Sequence, residues 1–246
     1  VTVSLIGGAG TATSSSTGTA QLSGIENLVG GSAGDALGGD ASNNMIEGGD
    51  GADSLTGGAG ADTLRGGAGG DNDTIKGGDG IDTLDLSELS GPIAVNLGTG
   101  SVAATIDGSA VTVAGGSSKG DGTDTVSEIE NLIGSGAADT LVGSAGENVI
   151  DAGDGADSID AGAGSDRVVF DESDARVKGG AGTNDALVIG ADEALVDMTL
   201  VQDATFSGFE SVDLSAAGSQ SVKFSEADIF ALTRGSSVIT FPDLAA

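Results

Sequence analysis

Cysteine, histidine, tryptophan and tyrosine are all missing from this 246-residue chain. Without cysteine there is no disulfide framework and no thiolate for zinc or an iron–sulfur cluster. Without histidine the usual haem and catalytic zinc ligands are gone as well. Hydrolysis by a His-dependent triad is excluded on the same ground. Basic residues are scarce too: 8 Lys plus Arg stand against 38 Asp plus Glu, a formal net charge of -30. That balance rules against nucleic acid, whose phosphates need clustered Lys and Arg, and it disfavours anionic membrane surfaces. No apolar run is long enough to span a bilayer, so direct membrane insertion is not expected. The sequence starts at Val1 with no initiator Met and no signal peptide. Export would then be directed from the C-terminal side or from sequence outside these residues. Lack of cysteine by itself leaves the compartment open.

Glycine is what the chain has in excess, with 46 residues, and it comes in phase with aspartate. Residues 48–56 read GGDGADSLT and residues 57–65 read GGAGADTLR. Glycine permits backbone angles closed to other residues and leaves carbonyls exposed in a tight turn. The aliphatic residue at position eight is a short strand's inward contact, and the Asp at position six offers a hard oxygen ligand to the turn. Oxygen donors without nitrogen or sulfur suit calcium. Counting the first glycine as position one, units begin at residues 30, 39, 48, 57, 66 and 77, and again at 134, 143, 152 and 161. The unit at 66 carries two extra residues near Gly70 and Asp71. Position six reads Asp35, Asn44, Asp53, Asp62, Asp73 and Asp82, then Asp139, Asn148, Asp157 and Asp166. A degraded turn at 179–182 adds Asp185. Position eight reads Leu37, Ile46, Leu55, Leu64, Ile75 and Leu84, then Leu141, Val149 or Ile150 (the latter strictly in register), Ile159 and Val168, with Leu187 last. This column predicts a core ladder.

The second block repeats the first at an offset of 104, which also carries the IENL phrase at 25–28 onto 129–132. The larger unit is therefore a lead-in, the IENL phrase and the glycine turns. PIAVNL at 92–97 and AVTVA at 110–114 alternate as strands, and VTVSL at 1–5 matches the first of them. By that match the sequence begins inside a lead-in strand and reads as an excised or processed piece of a longer protein. The expected division is partial lead-in strands at 1–29, a first roll at 30–85, a lead-in linker at 86–133, a second roll at 134–188 and a C-terminal cap at 189–246. All six Phe lie from Phe170 onward. FSGFESV at 206–212 echoes the IENL lead-in, and residues 225–232 predict a short helix with Ser225 as N-cap. Such a segment would close the open end of a repeat stack.

A nonapeptide cannot bury anything alone. Two successive units make one coil, and units n and n+2 stack on one side at about 4.8 Å. Asp35 then faces Asp53, Asn44 faces Asp62, Asp53 faces Asp73, Asp62 faces Asp82, Asp139 faces Asp157 and Asn148 faces Asp166. Two carboxylates ~5 Å apart repel by roughly 3 kcal/mol at an effective dielectric of 20. The thin aliphatic ladder cannot offset several such rows against the entropy of ordering so much glycine. The turn blocks are therefore expected to fold only when calcium binds.

These nonapeptides resemble the RTX family, whose GGxGxDxUx repeats form calcium-loaded parallel β-rolls. The resemblance implies an all-β parallel β-roll in two blocks, with several Ca2+ ions held by the position-six side chains and by turn carbonyls. Those carbonyls would be Gly48, Asp50 and Ala52; Gly57, Ala59 and Ala61; Gly66 and Ala68; Gly77, Asp79 and Ile81; Ala152, Asp154 and Ala156. It also implies a bacterial protein exported by a type I system and placed outside the cell or on its surface. Carboxylate pairs for glycoside hydrolysis are numerically available, but the near absence of aromatics removes sugar-stacking platforms, and no enzyme is expected. The preferred function is an extracellular calcium-binding repeat protein with a structural or adhesive role. Its open solenoid ends offer a route to self-association into an array or filament. The alternative is a non-catalytic module of a larger secreted enzyme, with the tail at 236–246 as a type I secretion signal.

Overall fold

The computed structural model describes residues 2–6, 9–14, 18–23, 25–106, 109–120, 122–189, 195–197, 206–213 and 221–223. Among them there are strands and turns and no helix. The three-residue strands follow from the nonapeptide: the turn consumes six positions and leaves three, of which only the middle one points inward. Thr63–Arg65, Thr140–Val142 and Ser158–Asp160 each bury that middle residue and leave its neighbours half exposed.

Stacking these strands gives a parallel β-solenoid of about eight turns, with two long sheets facing one core. In the nine-stranded sheet the ladder runs unbroken from Leu28 through Ile46, Leu64, Leu84, Leu132, Ile150, Val168 and Leu187 to Val212. Leu84 pairs directly with Leu132, so this sheet passes from one repeat block to the next with no gap. The thirteen-stranded sheet accommodates the intervening residues. Gly122–Ser127 lies parallel to Thr74–Gly80, Ser117–Gly120 turns back antiparallel, and Ala94–Asn96 leads on in parallel to Thr140–Val142. One hydrophobic cluster runs through both blocks, and its largest members are fully buried.

The offset of 104 is visible in three dimensions. Gly18–Ser23 and Gly122–Ser127 are equivalent antiparallel strands, and Leu37 and Leu141 each pair with an upstream strand, through Val3 and Val95, although those two are not themselves related by that offset. The stretch expected as a second lead-in strand at 110–114 lies elsewhere. Ser109–Val113 forms a hairpin with Val102–Ile106 that stands apart as its own two-stranded sheet, and Val113 packs with Ala94 and Ala104 in a small separate cluster. Ile150 takes the core position, whereas Val149 is 40% exposed. At the C-terminal end Phe170 and Phe206 meet edge to face at 5.0 Å, with Phe209 buried in the same core. The expected helix at 225–232 and the tail at 236–246 lie outside the described residues.

Candidate metal centres in the turns

Each turn places its position-six side chain against the backbone of the preceding coil on the same side. Asp53 Oδ1 accepts the Asp35 N–H at 2.7 Å, Asp73 Oδ1 that of Asp53 at 2.8 Å, and Asp124 Oδ1 that of Asp73 at 2.9 Å. On the other side Asp62 Oδ1 accepts from Asn44, Asp82 Oδ1 from Asp62, and Glu130 Oε2 from Asp82 at 2.9 Å. The second block continues the pattern. Asp139 accepts from Ile93 and Asp157 from Asp139; opposite them, Asp166 accepts from Asn148, Asp185 from Asp166 and Glu210 Oε2 from Asp185. The two extra residues near Gly70 and Asp71 do not break the ladder: Asp71 Oδ2 accepts the Gly51 N–H, and Asn72 Oδ1 reaches forward to the Thr123 N–H.

One carboxylate oxygen per turn is thus consumed by the backbone, and the fate of the other divides the turns into two kinds. In the first coil of each block it is satisfied locally. Asp35 Oδ2 accepts the Gly31 N–H and Asp139 Oδ2 that of Ser135. The Oδ1 atoms of Asn44 and Asn148 accept from Asp40 and Ser144, while their Nδ2 groups donate to the carbonyls of Glu26 and Glu130. In the later coils, Oδ2 of Asp53, Asp62, Asp82, Asp157, Asp166 and Asp185 is buried with no partner. A buried carboxylate oxygen without a hydrogen bond is costly, so these atoms are fitted to hold a cation. They sit beside carbonyls. A Cβ built on Gly48 would fall 2.3 Å from Asp53 Oδ2 and 2.5 Å from the Gly66 carbonyl oxygen, and one on Gly57 would fall 2.4 Å from Asp62 Oδ2 and 2.6 Å from that of Gly77. The glycine leaves open a cradle that a side chain would fill.

Of the remaining expected ligands, Gly48, Gly57, Gly66, Gly77 and Ala152 are buried at position one. Asp50, Ala52, Ala61, Ala68, Asp79, Ile81, Asp154 and Ala156 lie on exposed turn positions, with Ala59 between. The side chains of Asp50, Asp79 and Asp154 are therefore on the outer surface, and only their carbonyls are candidates. No group of three or more acidic side chains able to hold a metal occurs among the described residues. An ion in these turns would draw most of its oxygens from the backbone, which suits the high coordination number of calcium.

Burial dominates the electrostatics. It raises the carboxyls of Asp53, Asp62, Asp82, Asp139 and Asp185 above the ordinary Asp range. It lifts Asp73 and Asp166 to about 6 and Asp157 to about 7. Basic residues are used elsewhere: Arg65 pairs with Asp85 at 2.6 Å, Arg167 with Asp213 at 2.7 Å and Lys178 with Asp160 at 3.3 Å. None of the ion pairs among the described residues reaches the six orphaned carboxylates.

Sequence reasoning missed Asp124, Glu130 and Glu210 as members of the ladder. The signal for two of them is the IENL phrase and its FESV echo, in which Glu directly precedes a strand, as position-six Asp does. Its longer side chain spans the distance where no glycine turn precedes it.

No curated protein matches the chain. A family model described as the RTX calcium-binding nonapeptide repeat, in four copies, matches residues 38–72, 68–87 and 133–168. These stretches hold most of the six-residue turns, and the chain carries RTX calcium-binding nonapeptide repeats in both of its blocks.

Proposed function

We propose that this is an extracellular calcium-binding repeat protein with a structural or adhesive role, a rod that folds when calcium binds and assembles with further copies through its solenoid ends. The observation that carries the reading is the pair of columns of buried, partnerless carboxylate oxygens, which no Lys or Arg among the described residues neutralises. Asp53, Asp62, Asp82, Asp157, Asp166 and Asp185 would supply the side-chain ligands, and the carbonyls at positions one, three and five the rest. Asn44 and Asn148, with both amide groups engaged, fit an ion least. The repeats are a calcium-binding, non-catalytic module, and proteins built on them are typically secreted by bacteria. Secretion favours the reading, because calcium is plentiful outside the cell and an unneutralised chain of this charge would stay unfolded within it. The rolls at 30–85 and 134–188, the linker at 86–133 and the cap at 189–246 serve as segments of that rod.

The test is the full chain followed by light scattering and electron microscopy as calcium is added to calcium-stripped protein. The reading predicts ordered particles that grow with calcium and dissolve with chelator. A chain that binds calcium and stays monomeric at every concentration would overturn the assembly role.

A further inference from the structure

The glycine phrase stops after residue 157 on one side of the solenoid, and a turn of different composition takes its place. Residues 171–175 read DESDA and connect Arg167–Phe170 to Arg176–Lys178. This turn stacks directly on the AGDGAD turn at 152–157, where the N–H groups of Ala175 and Arg176 donate to the Asp157 carbonyl at 2.9 and 3.0 Å. It contains no glycine and no residue at positive φ, so its backbone does not follow that of the other turns. It brings a second buried carboxylate instead.

Asp174 is 5% exposed. Its Oδ2 accepts the Asp171 N–H at 3.0 Å, and its Oδ1 has no partner. Asp157, at 0% exposure, gives Oδ1 to the Asp139 N–H and has no partner at Oδ2. The two carboxyl groups lie within interaction distance of each other. Asp171 adds negative charge nearby while its Oδ1 accepts from the Ser173 N–H and hydroxyl. The closest basic group on the adjoining strand, Arg176, is directed to Asp160 at 3.9 Å.

Two buried carboxylates in contact need either a shared proton or a cation. Every donor here is oxygen, which selects a hard cation over a transition metal. We propose that the 171–175 turn completes the calcium-class site of Asp157, with Asp174 Oδ1 joining Asp157 Oδ2 as its carboxylate ligands. Asp174 lies outside the matched repeats, which end at residue 168. The second carboxylate takes the place of the missing glycine turn, so the metal column is capped by a side chain where the repeat ends.

This inference rests on the reading that the turns take calcium, and the test separates the two. Calcium bound per chain is counted by equilibrium dialysis at pH 9 for the full protein, for Asp174→Asn, and for Glu88→Gln, an exposed acid paired with Arg65. The expected result is one ion fewer in Asp174→Asn and no change in Glu88→Gln. Equal counts in all three chains overturn this site while leaving the repeat sites standing; a wild-type chain that binds no calcium overturns both. Should Asp174→Asn fail to fold, wild-type crystals grown in manganese decide. An anomalous peak between Asp157 and Asp174 upholds the site, and its absence beside occupied glycine turns overturns it.

Discussion

Position two of the nonapeptide shows how one atom decides a residue. In each nonapeptide that stacks on an earlier glycine turn the position is glycine at positive φ, as at Gly49, Gly58, Gly67, Gly78, Gly153, Gly162 and Gly180. A Cβ on Gly58 would sit 2.2 Å from the Asp40 carbonyl oxygen below it, and one on Gly78 2.0 Å from that of Gly58. In the first coil of each block no glycine turn lies beneath, and Asp40, Ser135 and Ser144 occupy the position. Gly31 shares that freedom: its added Cβ would meet only Asp35 Oδ2, at 3.5 Å. Gly58→Ala should therefore lower stability in calcium by roughly 2 kcal/mol or more, from left-handed strain plus the carbonyl clash, whereas Gly31→Ala should stay within about 0.5 kcal/mol. Thermal melts of both variants in saturating calcium check the contrast. At this scale the repeat was legible down to the position-six side chains, because glycine and aspartate leave an in-phase mark. The split between orphaned and satisfied carboxylates was not, since it depends on whether a turn has a neighbour beneath it.

Among the elements, the three-residue strands stand or fall with their middle residue. Ile150 is fully buried between Leu132 and Val168, while its neighbour Val149 points outward. Ile150→Ala is expected to destabilise by about 2–5 kcal/mol, the range for a buried aliphatic truncated to Ala. Val149→Ala should change stability by no more than about 0.5 kcal/mol. Urea unfolding in calcium distinguishes them, and equal losses would mean the register is wrong. Strict counting in nines placed Ile150 correctly. It could not place the hairpin Val102–Ile106/Ser109–Val113, because alternation marks a strand but not the sheet that receives it. Nor could it foresee that Leu84 pairs straight with Leu132 across the 47 residues 85–131, since such a long-range pairing leaves no local trace. Glu130 secures that junction by accepting the Asp82 N–H, and the IENL phrase was a repeat marker before it was a contact.

For the whole molecule the governing quantity is buried negative charge. The carboxyls of Asp73, Asp166, Asp157 and Asp174 are raised in the folded state to about 6, 6, 7 and 8. Raised carboxyls favour the folded state when protonated, so their contribution is fully present below the unfolded value near 4. It is lost as pH climbs through 6 to 8. In calcium-stripped buffer the protein should thus hold more folded structure at pH 5 than at pH 8, where no melting transition is expected. Saturating calcium should reverse the order, because the ion needs the deprotonated ligands. Calorimetry at the two pH values, with and without calcium, tests the reversal. The most direct measurement of the central claim is the far-ultraviolet circular dichroism of the calcium-stripped full chain at pH 8 as calcium is titrated in and then removed with EGTA. The account predicts a disordered spectrum that converts cooperatively to β-sheet with calcium and reverts with chelator. A β-sheet spectrum indifferent to both additions would contradict it.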